Sequence, residues 1–169
     1  RDIAGIFAMI RMLGALIGAA ERADQLASDL AARLARIAAT PRPLPKPQAY
    51  FEEWDDPLIS GIGWVSELIE IAGGEDALPK LRLQQAAKDR IIVPDMVREA
   101  APDVILASWC GKKVVPERIR NRPGWGDIPA VANNRIVEIK SPLILQPGPA
   151  ALTDGLDAIV KALWPAPNT

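Results

Sequence analysis

Thr40 to Pro47 reads TPRPLPKP, and no other stretch limits the fold of this chain as much. Each proline fixes φ and removes an amide donor, so the segment is neither helix nor central strand and reads as a stiff connector. It divides the chain into a helical segment, 1–40, a Pro-rich connector, 41–47, and a segment of mixed pattern, 48–169.

Before the connector, Ile3, Ile6, Phe7, Ile10, Leu13 and Ile17 recur at three and four residues, which predicts a helix with one apolar face. Asp2 is placed to cap its first turn. Gly14 and Gly18 weaken its end, and Leu26, Leu30, Leu34 and Ile37 resume the spacing from Glu21 to Ala39. Two helices, or one bent helix, are expected. Ile3 to Ala20 is apolar apart from Arg11, but a mid-span charge costs roughly 2.5–3.5 kcal/mol on insertion scales, which argues against a membrane span. Asp2 also stands where a secretory signal would carry basic residues.

After the connector the period alternates. Gln48 to Glu53 reads as a strand, and Leu58 to Ala72 reads as a helix stopped by Gly73-Gly74. Ile91 to Val93 reads as a short strand, and Pro94 opens a short helix. DVILAS, from Asp103 to Ser108, and RIVEI, from Arg135 to Ile139, read as strands, and Pro149 to Leu163 closes the chain as a helix. Strands alternating with helices predict an α/β, Rossmann-like lobe with a mostly parallel sheet and flanking helices.

Charge excludes one class of partner. With 20 basic and 21 acidic residues the chain lacks the positive footprint that nucleic acid requires. It contains no histidine and one cysteine, so the usual general base, a zinc cluster and an internal disulfide are all missing. Neither a phosphate loop nor a catalytic base is evident, so a nucleotide-dependent transferase is disfavoured; no enzymatic activity and no cofactor are expected.

In open parallel sheets ligands bind beyond the carboxyl ends of the strands. Three loops fall there: Glu52 to Pro57, Trp109 to Lys113 and Lys140 to Gly148. Trp54 and Trp109 are flat apolar surfaces suited to a large planar ligand, whereas Trp64 and Trp164, on helices, read as core. Cys110 has no histidine to activate it and reads as a small residue in a tight loop. Lys112 and Lys113 can meet ligand phosphate or carboxamide groups, or form a solvated face. Glu52, Glu53, Asp55 and Asp56 read as a solvated rim or as ion-pair partners.

Three stretches, YFEEWDDPLISGIGWVSELIEIAGGED (50–76), VPDMVREAAPDVILASWCGKK (93–113) and RPGWGDIPAVANNRIVEIKSPLILQPGPA (122–150), resemble in order the C-terminal lobe of cobalamin-type and ferric-siderophore-type ABC substrate-binding proteins. The resemblance implies two α/β lobes joined by one long rigid helix, with the helices before Pro41 as that connector and a first lobe absent from this chain. It implies a ligand cleft between the lobes, and with the loops above it nominates Glu53, Trp54, Asp55, Trp109, Cys110, Gly111, Lys112, Leu143 and Gln146 as ligand-binding. Asp95 resembles the acidic residue that docks on arginines of the importer's membrane permease subunits; an acid that complements its own helix start is an almost equal account. The strings EEWDDPLISG, SWCGKK and SPLILQPGPA resemble the corrinoid-binding branch, so cobalamin is the expected ligand, with ferric siderophore or haem as the alternative. The implied location is periplasmic or extracytoplasmic, including a membrane-anchored lipoprotein form. A structural role is also open, in which the apolar face of Ile3 to Ala20 pairs with another copy.

Overall fold

The structure is a computed structural model that describes residues 1–166. The first forty residues form two helices, α1 (Ile3–Leu16) and α2 (Ala20–Ala38). Asp2 accepts a hydrogen bond from the Gly5 amide at 2.7 Å and caps α1. Gly18, at φ +71°, turns the chain, and α2 folds back so that Arg11 meets Asp24 at 2.9 Å. A side chain at Gly14 would come within 2.2 Å of the Ala23 Cβ, so this glycine sets how closely the two helices approach. No helix among the described residues is long and apolar enough to cross a membrane.

Beyond the connector lies one sheet. Its strands are β1 (Gln48–Asp55), β2 (Leu58–Ser60), β3 (Glu75–Asp76), β4 (Val104–Ala107) and β5 (Ile136–Glu138). The order is β2-β1-β4-β5, with β3 pairing to the start of β1. β1, β4 and β5 run parallel, with Phe51 opposite Leu106 and Leu106 opposite Val137. Among the described strands only β2 is antiparallel, where a turn at Asp56-Pro57 brings Leu58 back beside Asp55. The helices are α3 (Gly63–Ile71), α4 (Pro94–Ala100), α5 (Pro116–Arg120), α6 (Pro129–Ala132), α7 (Ser141–Ile144) and α8 (Leu156–Leu163), the last entered through a wide π turn at Ala151–Gly155.

Strand pleating divides the core into two. Ala49, Phe51, Val104 and Leu106 face α1, α2, α3 and α8 in one apolar cluster. Their neighbours Tyr50, Ile105 and Ala107 face the opposite way, against Val97 of α4, Ile119 of α5 and Val131 of α6. Both faces of β4 are thus covered, which is why its four residues are all apolar and buried rather than alternating. α1 and α2 add Ile3, Ile6, Ile10, Leu30 and Leu34 to the first cluster, so the helical segment packs on the lobe. Each such fully buried aliphatic side chain contributes roughly 1.5–3 kcal/mol.

The α/β layout and the mostly parallel sheet agree with the sequence reading, and three elements differ. The helix expected from Leu58 starts at Gly63, because Leu58–Ser60 pairs with β1 as a strand. Ile91 to Val93 is no strand: Ile91 follows a 3-10 turn, Ala87–Arg90, and makes a single bridge to Ile59 before α4 begins at Pro94. Finally, β1 runs to Asp55, so Glu52 to Asp55 belong to a strand end and not to a loop.

Candidate functional site

Because β1, β4 and β5 are parallel, their carboxyl ends share one edge, and the segments after them meet there. β1 delivers Trp54 and Asp55, the segment after β4 delivers Trp109 to Lys113, and the segment after β5 delivers Lys140 to Pro147. Gly111, at φ +75°, takes the left-handed conformation that lets the second of these turn tightly.

That turn sets Lys112 over two indoles. Its Nζ lies 4.1 Å from the Trp54 ring centroid and 5.1 Å from that of Trp109, within cation–π range. The same ammonium is 2.5 Å from Asp55 Oδ1, and Arg118 Nη1 is 3.0 Å from Oδ2. Burial by itself would raise the Asp55 pKa, but the hydrogen bond and charge of Lys112, with the charge of Arg118, outweigh it and hold the carboxyl below its ordinary 3.8. Trp54 keeps its orientation through Nε1, which donates to the Asp56 carbonyl at 2.9 Å.

A lowered acid contributes stability that is present above its unfolded pKa and lost as pH falls through the folded one. The Asp55 cluster is therefore expected to loosen below pH 3.8, the unperturbed value. Asp55→Asn is expected to lower stability at neutral pH and to flatten its pH dependence in that acid window, read by urea unfolding at a series of pH values. An unchanged acid limb would show that Asp55 is not held by the two cations.

Behind the cluster lies a buried charge. Glu52 is 0% exposed, and its carboxylate receives both terminal nitrogens of Arg122, at 2.5 and 2.8 Å, and the Trp109 indole N–H at 3.0 Å. Arg122 in turn lies 4.6 Å over the Trp125 ring, which meets Tyr50 edge-on at 6.4 Å. Burial pushes the Tyr50 hydroxyl well above its usual pKa, and the Glu52 charge adds to this.

The nominated residues separate into groups. Trp54, Asp55, Trp109, Gly111 and Lys112 come together. Trp109, at 1% exposure, contributes through its buried ring and its hydrogen bond rather than through an open face. Cys110 projects as an exposed free thiol. Two cavities flank α7. One, of about 320 Å³, is lined by Trp109, Gly111, Lys112, Lys113, Lys140 and Ser141 among others. The other, of about 490 Å³, is lined by Arg1, Asp2, Glu53, Trp64, Leu145 and Pro147 among others. Glu53 is anchored there by Arg90, a fully buried side chain at 2.7 Å. Leu143 packs against the core and Gln146 is exposed. Asp95 stands apart, 2.6 Å from Arg98, on a separate cavity of about 340 Å³ that Glu99 and Asp127 also line.

Sequence reasoning gave no role to Arg90, Arg118 and Arg122, although each fixes a residue at this edge. The only signal pointing to them was the run of carboxylates from Glu52 to Asp56, which needs cations when buried.

Residues 1–143 match the model of a family described as periplasmic binding protein. An uncharacterised ABC transporter substrate-binding lipoprotein of Bacillus subtilis (strain 168), YvrC, is 24% identical over 170 residues, covering 95% of this chain and 50% of that protein. The chain thus spans about half the length of this curated relative. Among solved structures, an ABC transporter substrate-binding protein from Listeria monocytogenes EGD-e superimposes with a TM-score of 0.78 at 21% identity, over 96% of this chain and 65% of that one. The periplasmic heme-binding protein RhuT from Roseiflexus sp. RS-1, in apo form, gives 0.75 at 24% identity over the same shares, 96% and 65%. At these identities the likeness establishes the fold.

Proposed function

This chain belongs to the periplasmic binding protein family, and from that premise we propose that it forms one wall of the ligand cleft of an ABC importer's substrate-binding protein. The observation that carries the reading is the carboxyl edge of β1, β4 and β5. There two cavities and a half-buried tryptophan, Trp54, face outward on a rigid sheet, with a second charged layer holding them from behind. A binding protein needs such a preformed wall. The protein would act outside the cytoplasm, as a lipoprotein or a periplasmic form, and deliver its ligand to membrane permease subunits, with Asp95 on the exposed start of α4 as a docking residue.

The ligand is proposed to be a bulky metal chelate. A corrinoid such as cobalamin is supported by the likeness of EEWDDPLISG, SWCGKK and SPLILQPGPA to the corrinoid branch. Haem or a ferric siderophore is the second reading, favoured by the structural likeness to RhuT, which is described as heme-binding.

The test is a titration of cyanocobalamin, haem and a ferric hydroxamate, followed by tryptophan fluorescence. It uses the 169-residue chain and, where the gene encodes an upstream lobe, the longer product. Saturable quenching by one class is expected. Absence of quenching by all three in the longer product would remove the chelate reading.

A further inference from the structure

Resting on the substrate-binding reading, we propose that the cavity between the segments after β4 and β5 selects chelates that carry anionic groups, carboxylates above all.

The cavity is small, about 320 Å³, which suits a side group of a ligand rather than its whole body. Its charged lining consists of Lys112, Lys113 and Lys140 against one carboxylate, Glu138. Glu138 is engaged by Lys140 at 2.9 Å and accepts the Val114 amide at 3.2 Å. Burial would raise its pKa, but Lys140, the amide and the charge of Lys113 hold it below the ordinary 4.5. It is therefore ionised at neutral pH and already committed.

On the other side Asp55 neutralises Lys112, but it also serves Arg118. One carboxylate facing two cations leaves a positive remainder, and Lys113 is in no ion pair among the described residues. In sum, four cations, Lys112, Lys113, Arg118 and Lys140, meet two anions, Asp55 and Glu138. The excess of two positive charges stands on a chain whose net charge is −1. A cleft that concentrates one sign raises the local concentration of ligands of the other sign.

Trp54 stands beside this cavity and not in its lining: Lys112, which does line it, lies 4.1 Å from the centre of the indole. A ligand whose anionic edge enters the cavity would have its flat body next to that ring. A flat conjugated body edged with carboxylates matches this arrangement better than one clad in neutral amides. The lysines thus weigh toward the second reading above, haem or an anionic siderophore, against the corrinoid that the sequence likeness supports.

Matched pairs of probes test this. Iron(III) protoporphyrin IX and its dimethyl ester share one ring and differ in carboxylate charge; a ferric tricatecholate is an anionic complex and a ferric trihydroxamate a neutral one, so this second pair tests net charge without carboxylates. Each is titrated calorimetrically into the wild type and into Lys113→Gln/Lys140→Gln, in both lengths of the protein. The charged member of a pair is expected to bind about tenfold tighter. That ratio should shrink as sodium chloride is raised and approach one in the double variant. Equal affinities within both pairs, or a ratio unmoved by the double variant, would overturn the anionic preference and leave the substrate-binding reading standing. No binding of any of these probes would overturn the anionic preference, and only if cyanocobalamin, titrated beside them, also failed to bind would the substrate-binding reading fall with it.

Discussion

Glu52→Leu is expected to destabilise the fold by about 3–5 kcal/mol, the usual cost of stranding one member of a buried ion pair. The leucine fills much of the volume but takes the acceptor from two Arg122 nitrogens and from the Trp109 indole, all within 3.0 Å of the carboxylate. Arg122 is 15% exposed at its side chain, so water restores little of the lost solvation. For a chain of this length the melting temperature should fall on the order of 10 °C. Glu52→Leu/Arg122→Met should recover part of the loss, since exchanging both partners for apolar groups removes the stranded charge. Urea unfolding of both variants checks this, and a double variant no better than the single one would show that the stabilisation lies elsewhere.

The second large effect is on binding. Trp54→Ala is expected to weaken the ligand by roughly thirtyfold, about 2 kcal/mol, as removal of an aromatic anchor commonly does. Stability should change much less, because Trp54 lies at a strand end and is only half-buried. Lys112 would lose one of its two rings but keep Asp55. Calorimetric affinity beside the unfolding midpoint separates the outcomes: weaker binding with an unchanged midpoint supports a ligand wall, and a lowered midpoint with unchanged affinity would make Trp54 a packing residue.

Both predictions concern residues that the sequence exposed unequally. Trp54 and Lys112 were legible because they stand next to a recognisable strand, and a strand's carboxyl end is where parallel sheets place ligands. Trp109 was legible as a position but not in its manner of acting: a tryptophan after a strand can turn outward or inward, and here the Glu52 carboxylate draws it in. Glu52 itself read as part of a solvated rim or as an ion-pair partner, and the structure makes it the second. Its burial follows from the pleat, which points it to the same side of the sheet as Tyr50, and from the bidentate Arg122.

The fold divides in the same way. Helical spacing from Ile3 to Ile37, the proline connector and the apolar run Val104 to Ala107 are local patterns, and each element formed where its pattern stood. β2 was misread because Leu58 and Ile59 continue smoothly into the apolar spacing of α3, so periodicity by itself could not mark the boundary. Its pairing with β1 across the Asp56-Pro57 turn decided the matter.

By itself, then, the sequence determined the two starting helices, the proline break and the α/β lobe with its mostly parallel sheet, because these follow from spacing, proline and strand pattern. Only the tertiary structure decided which charges are spoken for. Arg90 finds Glu53 across 37 residues, Lys112 finds Asp55 across 57 and Arg122 finds Glu52 across 70. No local period encodes such partners; they are selected by which side chains the folded sheet brings within hydrogen-bonding distance, away from water.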